Sequence, residues 1–193
     1  MNAGSGDRDY GLGPGREALV WGHTVEGLVR AGLPRATPRW KARLHERGLA
    51  IDAPLAEVYT RDQWRDFVSI SAEELFTGTR DERLEQFGAA FIDEYARTFI
   101  GRVAAALIRV SGPRRALEHM TRSLRSANNY SETRATFTAP GRAEFWLSEV
   151  LDAPAFICGS MVAVLRRTGA SGIRMRALRL EGRAATFEIE WDP

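Results

Sequence analysis

The sequence predicts an α+β fold: N-terminal helices packed on a mainly antiparallel sheet built from a C-terminal hairpin-helix-hairpin. Three observations carry this. The closing run Ala185 to Trp191 alternates apolar and polar at period two, placing Ala185, Phe187, Ile189 and Trp191 on one buried face and the glutamates on the other. Upstream, Leu84, Phe87, Phe91, Tyr95 and Phe99 recur at the three- and four-residue spacing of a helix. Between two hairpin patterns lies a segment, Phe156 to Leu165, that is apolar on nearly every side and so reads as a buried helix.

The elements follow in order. Residues 1–15 hold Gly11, Gly13 and Gly15 and no apolar anchor, which predicts a flexible lead-in to one domain over 16–193. Their spacing, with no strand before it, is not a dinucleotide fingerprint. Residues 18–21 read as a short extended segment. Thr24 reads as the N-cap of a helix through Val25, Leu28 and Val29, stopped at Gly32 and Pro34. A second helix spans 39–47 with Gly48 as its cap. Residues 51–59 form a loop containing Pro54, and Thr60 caps a helix with Trp64, Phe67, Val68 and Ser71 on one face. The long pattern over 80–110 should break near 98–101, because Gly88 and Gly101 each cost a helix about 1 kcal/mol relative to alanine. Pro113 then opens a helix burying Leu117, Met120 and Leu124 and ending at Asn128-Asn129. One hairpin turns at residues 139–142; the other turns at Glu181-Gly182. Asp152 caps the buried helix, with Pro154 in its first turn.

Composition narrows the function. The net charge is +2, with Lys41 the only lysine, so a general nucleic-acid binder is not expected. Cys158 is the only cysteine, no apolar run reaches the roughly 20 residues of a membrane helix, and residues 1–9 are no signal peptide. The expectation is a cytoplasmic protein without membrane insertion.

No catalytic or metal constellation assembles. His23, His45 and His119 fall on three different elements, and no H-x-x-x-H or C-x-x-C occurs. Cys158-Gly159-Ser160 lacks the full nucleophile elbow. Neither an enzyme nor a bound cofactor is therefore expected. The polar signal that remains is an arginine cluster, Arg114, Arg115, Arg122, Arg125 and nearby Arg134, which reads either as a solvated helix back or as a patch for an anion or an acidic partner segment.

Several short patterns occur in order: Tyr95 to Arg102, Gly112 to Leu117, Asn128-Asn129-Tyr130, Pro154-Ala155-Phe156 with Gly159, Gly169-Ala170, and the terminal Phe187 to Trp191. Together they resemble a myxobacterial paralogous family of proteins of about this length and of unknown function. A more distant likeness is to the haem-NO-binding, 4-vinyl-reductase and TRAPP-like ligand-binding superfamily. That resemblance implies helices before a hairpin-helix-hairpin sheet and an enclosed small-molecule or acyl-chain pocket. Its haem sensors use a Tyr-x-Ser-x-Arg motif. Tyr130 and Arg134 keep the spacing, but Glu132 replaces the serine and would repel propionates, and His119 lies too close upstream to be the axial ligand.

The expected function is that of a non-catalytic regulatory, sensor-like domain. It would bind a small apolar or amphipathic ligand between helices and sheet and signal to a protein partner or a second copy. The expected lining is Phe91, Tyr95, Phe99, Trp146, Phe156 and Cys158. The alternative is a ligand-free interaction or dimerisation scaffold with a filled core and an exposed apolar patch.

Overall fold

A computed structural model describes residues 17–193. The expected lead-in over 1–15 lies outside the described residues.

Strand β1 (Leu19–Trp21) pairs antiparallel with β2 (Val58–Thr60). Part of the span expected as loop is therefore strand, recruited by a partner distant in sequence. Helix α1 (Gly22–Gly32) begins two residues before the expected cap. Its first N–H donates to the Glu57 carbonyl at 2.8 Å, so no hydroxyl is needed there, and Thr24 Oγ1 donates instead to the Ala127 carbonyl at 3.1 Å. Helix α2 (Pro38–Glu46) is capped by Thr37. Helices α3 (Arg61–Leu75) and α4 (Arg80–Tyr95) both start with reciprocal capping boxes, Thr60 with Gln63 and Thr79 with Glu82. Beneath them Trp40 is fully buried, its Nε1 donating to Ser71 Oγ at 3.0 Å.

The long pattern breaks after Tyr95. Thr98 caps helix α5 (Phe99–Glu118), which is itself broken where Gly112 takes φ 71°. His119, with φ −96° and ψ 6°, separates α5 from the short α6 (Met120–Arg125). One continuous arginine-bearing helix was expected; there are two segments, so Arg115 and Arg122 do not share a helix.

The larger sheet has strand order β3-β4-β6-β5, from β3 (Thr133–Ala139), β4 (Arg142–Leu147), β5 (Arg174–Glu181) and β6 (Ala184–Glu190), all antiparallel. Helix α7 (Pro154–Arg166) joins the two hairpins. Its expected cap, Asp152, instead has φ 54°, and Ala153 occupies the cap position without a side-chain bond. From α7, Cys158, Met161, Val164 and Leu165 join Ala143, Phe145, Leu147, Ala185, Phe187 and Ile189 of the sheet in one cluster. A second cluster unites α1 to α4 with Phe156, and Ile92 and Ile157 pack against both. Glu188 pairs with Arg142 and Arg176, and Glu190 with Arg174, as cross-strand neighbours should. Among the described residues no helix is long and apolar enough to cross a membrane.

Candidate functional site

Where α4, α5, α6, α7 and the sheet meet, they enclose a cavity of about 160 Å³. Its wall is almost wholly apolar. Trp64 arrives on α3, Phe91, Ile92 and Tyr95 on α4, Phe156, Ile157, Met161 and Val164 on α7, and Phe145 and Leu147 on β4. The rings of Phe91 and Phe156 lie 5.7 Å apart, those of Phe91 and Tyr95 5.8 Å, and those of Trp64 and Phe91 5.5 Å. The roof is α5, where the described lining residues are Gly101, Ala104, Ala105 and Ile108. Gly101, Ala104 and Ala105 each fill little of the space.

Few polar atoms reach the wall. Glu149 accepts from the Leu151 N–H at 2.9 Å and faces Arg61 at 3.4 Å, while burial pushes its carboxyl above the usual range. Burial also drives the Tyr130 phenol strongly upward, with the Glu149 carboxylate adding to the effect. The Tyr95 phenol is raised by burial and pulled partly back by the Ser126 side chain. Ser126 Oγ, however, donates at 2.6 Å to the Ser123 carbonyl, and the two hydroxyls do not meet in hydrogen-bond geometry. Among the described residues the Tyr95 oxygen is buried without a hydrogen-bond partner, as is Nε of Arg167, another wall residue, whose Nη2 donates to Asp93 at 2.8 Å.

Of the six expected lining residues, the structure brings Phe91, Tyr95 and Phe156 together at this cavity. Phe99, first residue of α5, is 74 % exposed and off the wall. Trp146 does not line it; on β4 its neighbours Phe145 and Leu147 point inward, and Arg134 stacks over its ring at 4.9 Å. Cys158 borders a different feature, a wider open groove beside Glu85, Met175 and Glu188. That groove exceeds the cavity in size, but its arginines and glutamates largely neutralise one another, and we regard the enclosed apolar cavity as the better ligand site. Burial pushes the Cys158 thiol up to about 12. It should therefore resist a thiol-specific disulfide reagent at pH 8 in the native protein and react fully in denaturant; rapid native labelling would contradict that protection.

The arginine cluster does not converge. Arg114 pairs with Glu118 at 3.2 Å and stacks over Phe137, and Arg125 faces Glu132 at 3.6 Å. Arg115 and Arg122 are exposed on separate segments. His119 is exposed, and His23 hydrogen-bonds the Ser126 carbonyl at 2.6 Å. Among the described residues no group of His, Cys, Asp and Glu suited to a metal ion forms.

Residues 18–192 match the model of a family described as a protein of unknown function, DUF2378. The chain belongs to that family. No curated protein matches this DUF2378 protein in sequence. Solved structures of H-NOX domains share its fold at low identity. An H-NOX protein from S. oneidensis in the Fe(II)NO ligation state is 10 % identical, covers 90 % of this chain and 99 % of its own, and has a TM-score of 0.67. An oxygen-binding H-NOX domain related to soluble guanylate cyclases, in its oxygen complex, is 12 % identical over 89 % and 95 % with a TM-score of 0.67. An unliganded Fe(II) H-NOX protein from K. algicida is 10 % identical over 90 % and 97 % with a TM-score of 0.62. The DUF2378 chain is H-NOX-like in fold.

Proposed function

We propose that this DUF2378 protein is a non-catalytic, sensor-like domain that binds a small, largely apolar ligand in the cavity beneath α5 and passes occupancy to a protein partner. The observation that carries this reading is the cavity itself: aromatic walls under a roof of Gly101, Ala104, Ala105 and Ile108. Its place in an H-NOX-like fold supports the sensor role, since those neighbours are described with iron, NO or oxygen.

Haem does not fit here. The cavity is about 160 Å³, near the roughly 150 Å³ that accommodates benzene and far below a porphyrin. Among the described residues no histidine or cysteine lines it; the pKa of the Tyr130 phenol is raised, which disfavours a phenolate ligand. Arg134 is occupied over Trp146, and Glu132 faces Arg125.

Helix α5 suits transmission because its two sides do different things. Its inner residues roof the cavity, while Phe99, Val103 and Val110 are exposed apolar groups on it. Those groups also meet one expectation of the scaffold alternative, which differs in expecting a filled core.

The test combines an absorbance scan and native mass spectrometry of purified protein with benzene uptake followed by ligand-observed NMR. The expected result is no Soret band and saturation transfer to benzene that disappears in Ala105→Phe, which fills the roof. A Soret band, or no benzene uptake by the native chain, would sink the proposal.

A further inference from the structure

Resting on that reading of the cavity, we infer that the ligand is a compact neutral molecule, about one aromatic ring in size, carrying an oxygen acceptor that meets Tyr95 or Arg167.

Size comes first. The cavity, at about 160 Å³, matches a single ring rather than a long chain or fused rings. Shape agrees, because Trp64, Phe91, Tyr95 and Phe156 present faces and edges that favour a planar aromatic guest.

The polar requirement comes from two groups on the wall. Among the described residues Tyr95 Oη and Arg167 Nε are buried without protein partners, and both residues line the cavity. A buried donor left unmade is costly, whereas one that meets an acceptor gains a net contribution. A ligand oxygen beside either group would accept from it. An acceptor on the ligand suits both groups, since Arg167 can only donate and the Tyr95 hydroxyl can donate.

Charge selects a neutral acceptor over a carboxylate. Asp93 already balances the Arg167 guanidinium at 2.8 Å. Glu149 stands elsewhere on the same wall. An anionic ligand would meet no unbalanced cation and would be buried beside a carboxyl group.

The experiment compares ethylbenzene, acetophenone and benzoate binding to the full chain by ligand-observed NMR titration. The native protein should bind acetophenone about fivefold to tenfold more tightly than ethylbenzene, the worth of one hydrogen bond, and benzoate most weakly. At least one of Tyr95→Phe and Arg167→Lys should erase the acetophenone preference while leaving ethylbenzene unchanged. Arg167→Lys keeps the charge beside Asp93 but removes Nε–H. Circular dichroism of each variant verifies folding. Equal binding of acetophenone and ethylbenzene, a preference untouched by both variants, or tightest binding of benzoate would overturn the ligand class while leaving the cavity reading standing. No binding of any of the three would overturn both.

Discussion

Phe187→Ala is expected to lower stability by about 3–5 kcal/mol, the usual cost of emptying a large buried aromatic site. Phe187 is 0 % exposed, sits mid-strand in β6, and lies directly across from Phe145 of β4 in register. It packs under α7, which closes the sheet from one side. The sheet offers little room to collapse into the hole, because β6 is a central strand hydrogen-bonded to β4 and β5. In a chain of this length each kcal/mol shifts Tm by about 2–4 °C, so a fall on the order of 10 °C is expected. The paired control is Phe99→Ala. At 74 % exposure, Phe99 should change stability by no more than about 0.5 kcal/mol. Urea unfolding of both variants measures the contrast; a Phe187→Ala loss below 1 kcal/mol, or unfolding of Phe99→Ala, would refute this assignment of core and surface.

The contrast between those two phenylalanines shows how far the sequence could be read. The alternation in β6 was legible because a strand half-buried on one side must repeat every two residues, and Phe187 and Ile189 are fully buried. The helical stripe was legible as far as Tyr95. Phe99 continues the spacing on paper, but the turn at 96–98 and the new cap at Thr98 reset the helical phase, so it leaves the face of Phe91 and Tyr95. Trp146 could have been set aside by the same period-two logic, since Phe145 and Leu147 occupy the inward positions beside it. Cys158 could not. A helix apolar all round gives no sign of which residue faces cavity, groove or sheet. The roof residues Ala104 and Ala105 carried no signal at all, because a cavity is missing volume and alanine is ordinary in any helix. Tyr130 was noticed only through resemblances to known families, and it proves to be a wall residue of an apolar space.

Gly88→Val should be among the most damaging substitutions in the chain, lowering stability by about 3 kcal/mol or more. Gly88 lies inside α4, where a glycine is ordinarily a liability of about 1 kcal/mol against alanine. Its presence is explained by α7. A Cβ at Gly88 would collide with the Phe156 carbonyl and stand 2.9 Å from the Ser160 amide nitrogen. At Gly159 on α7, a Cβ would meet the backbone of Glu85. The two helices therefore touch backbone to backbone, and Ser160 Oγ donates to the Gly88 carbonyl at 3.3 Å across the contact. Backbone cannot rotate aside as a side chain can, so an added methyl group must push α4 and α7 apart. That separation would also spread the cavity, since α4 carries Phe91 and Tyr95 to one wall and α7 carries Phe156, Met161 and Val164 to another. Gly88→Val should thus lose benzene uptake together with stability. The milder Gly88→Ala decides the cause by its sign. Helix propensity alone would make it stabilising by about 1 kcal/mol, whereas the close approach makes it destabilising. A stabilised Gly88→Ala in urea unfolding would mean that the two helices have room to spare, and that the cavity walls are held by something other than this contact.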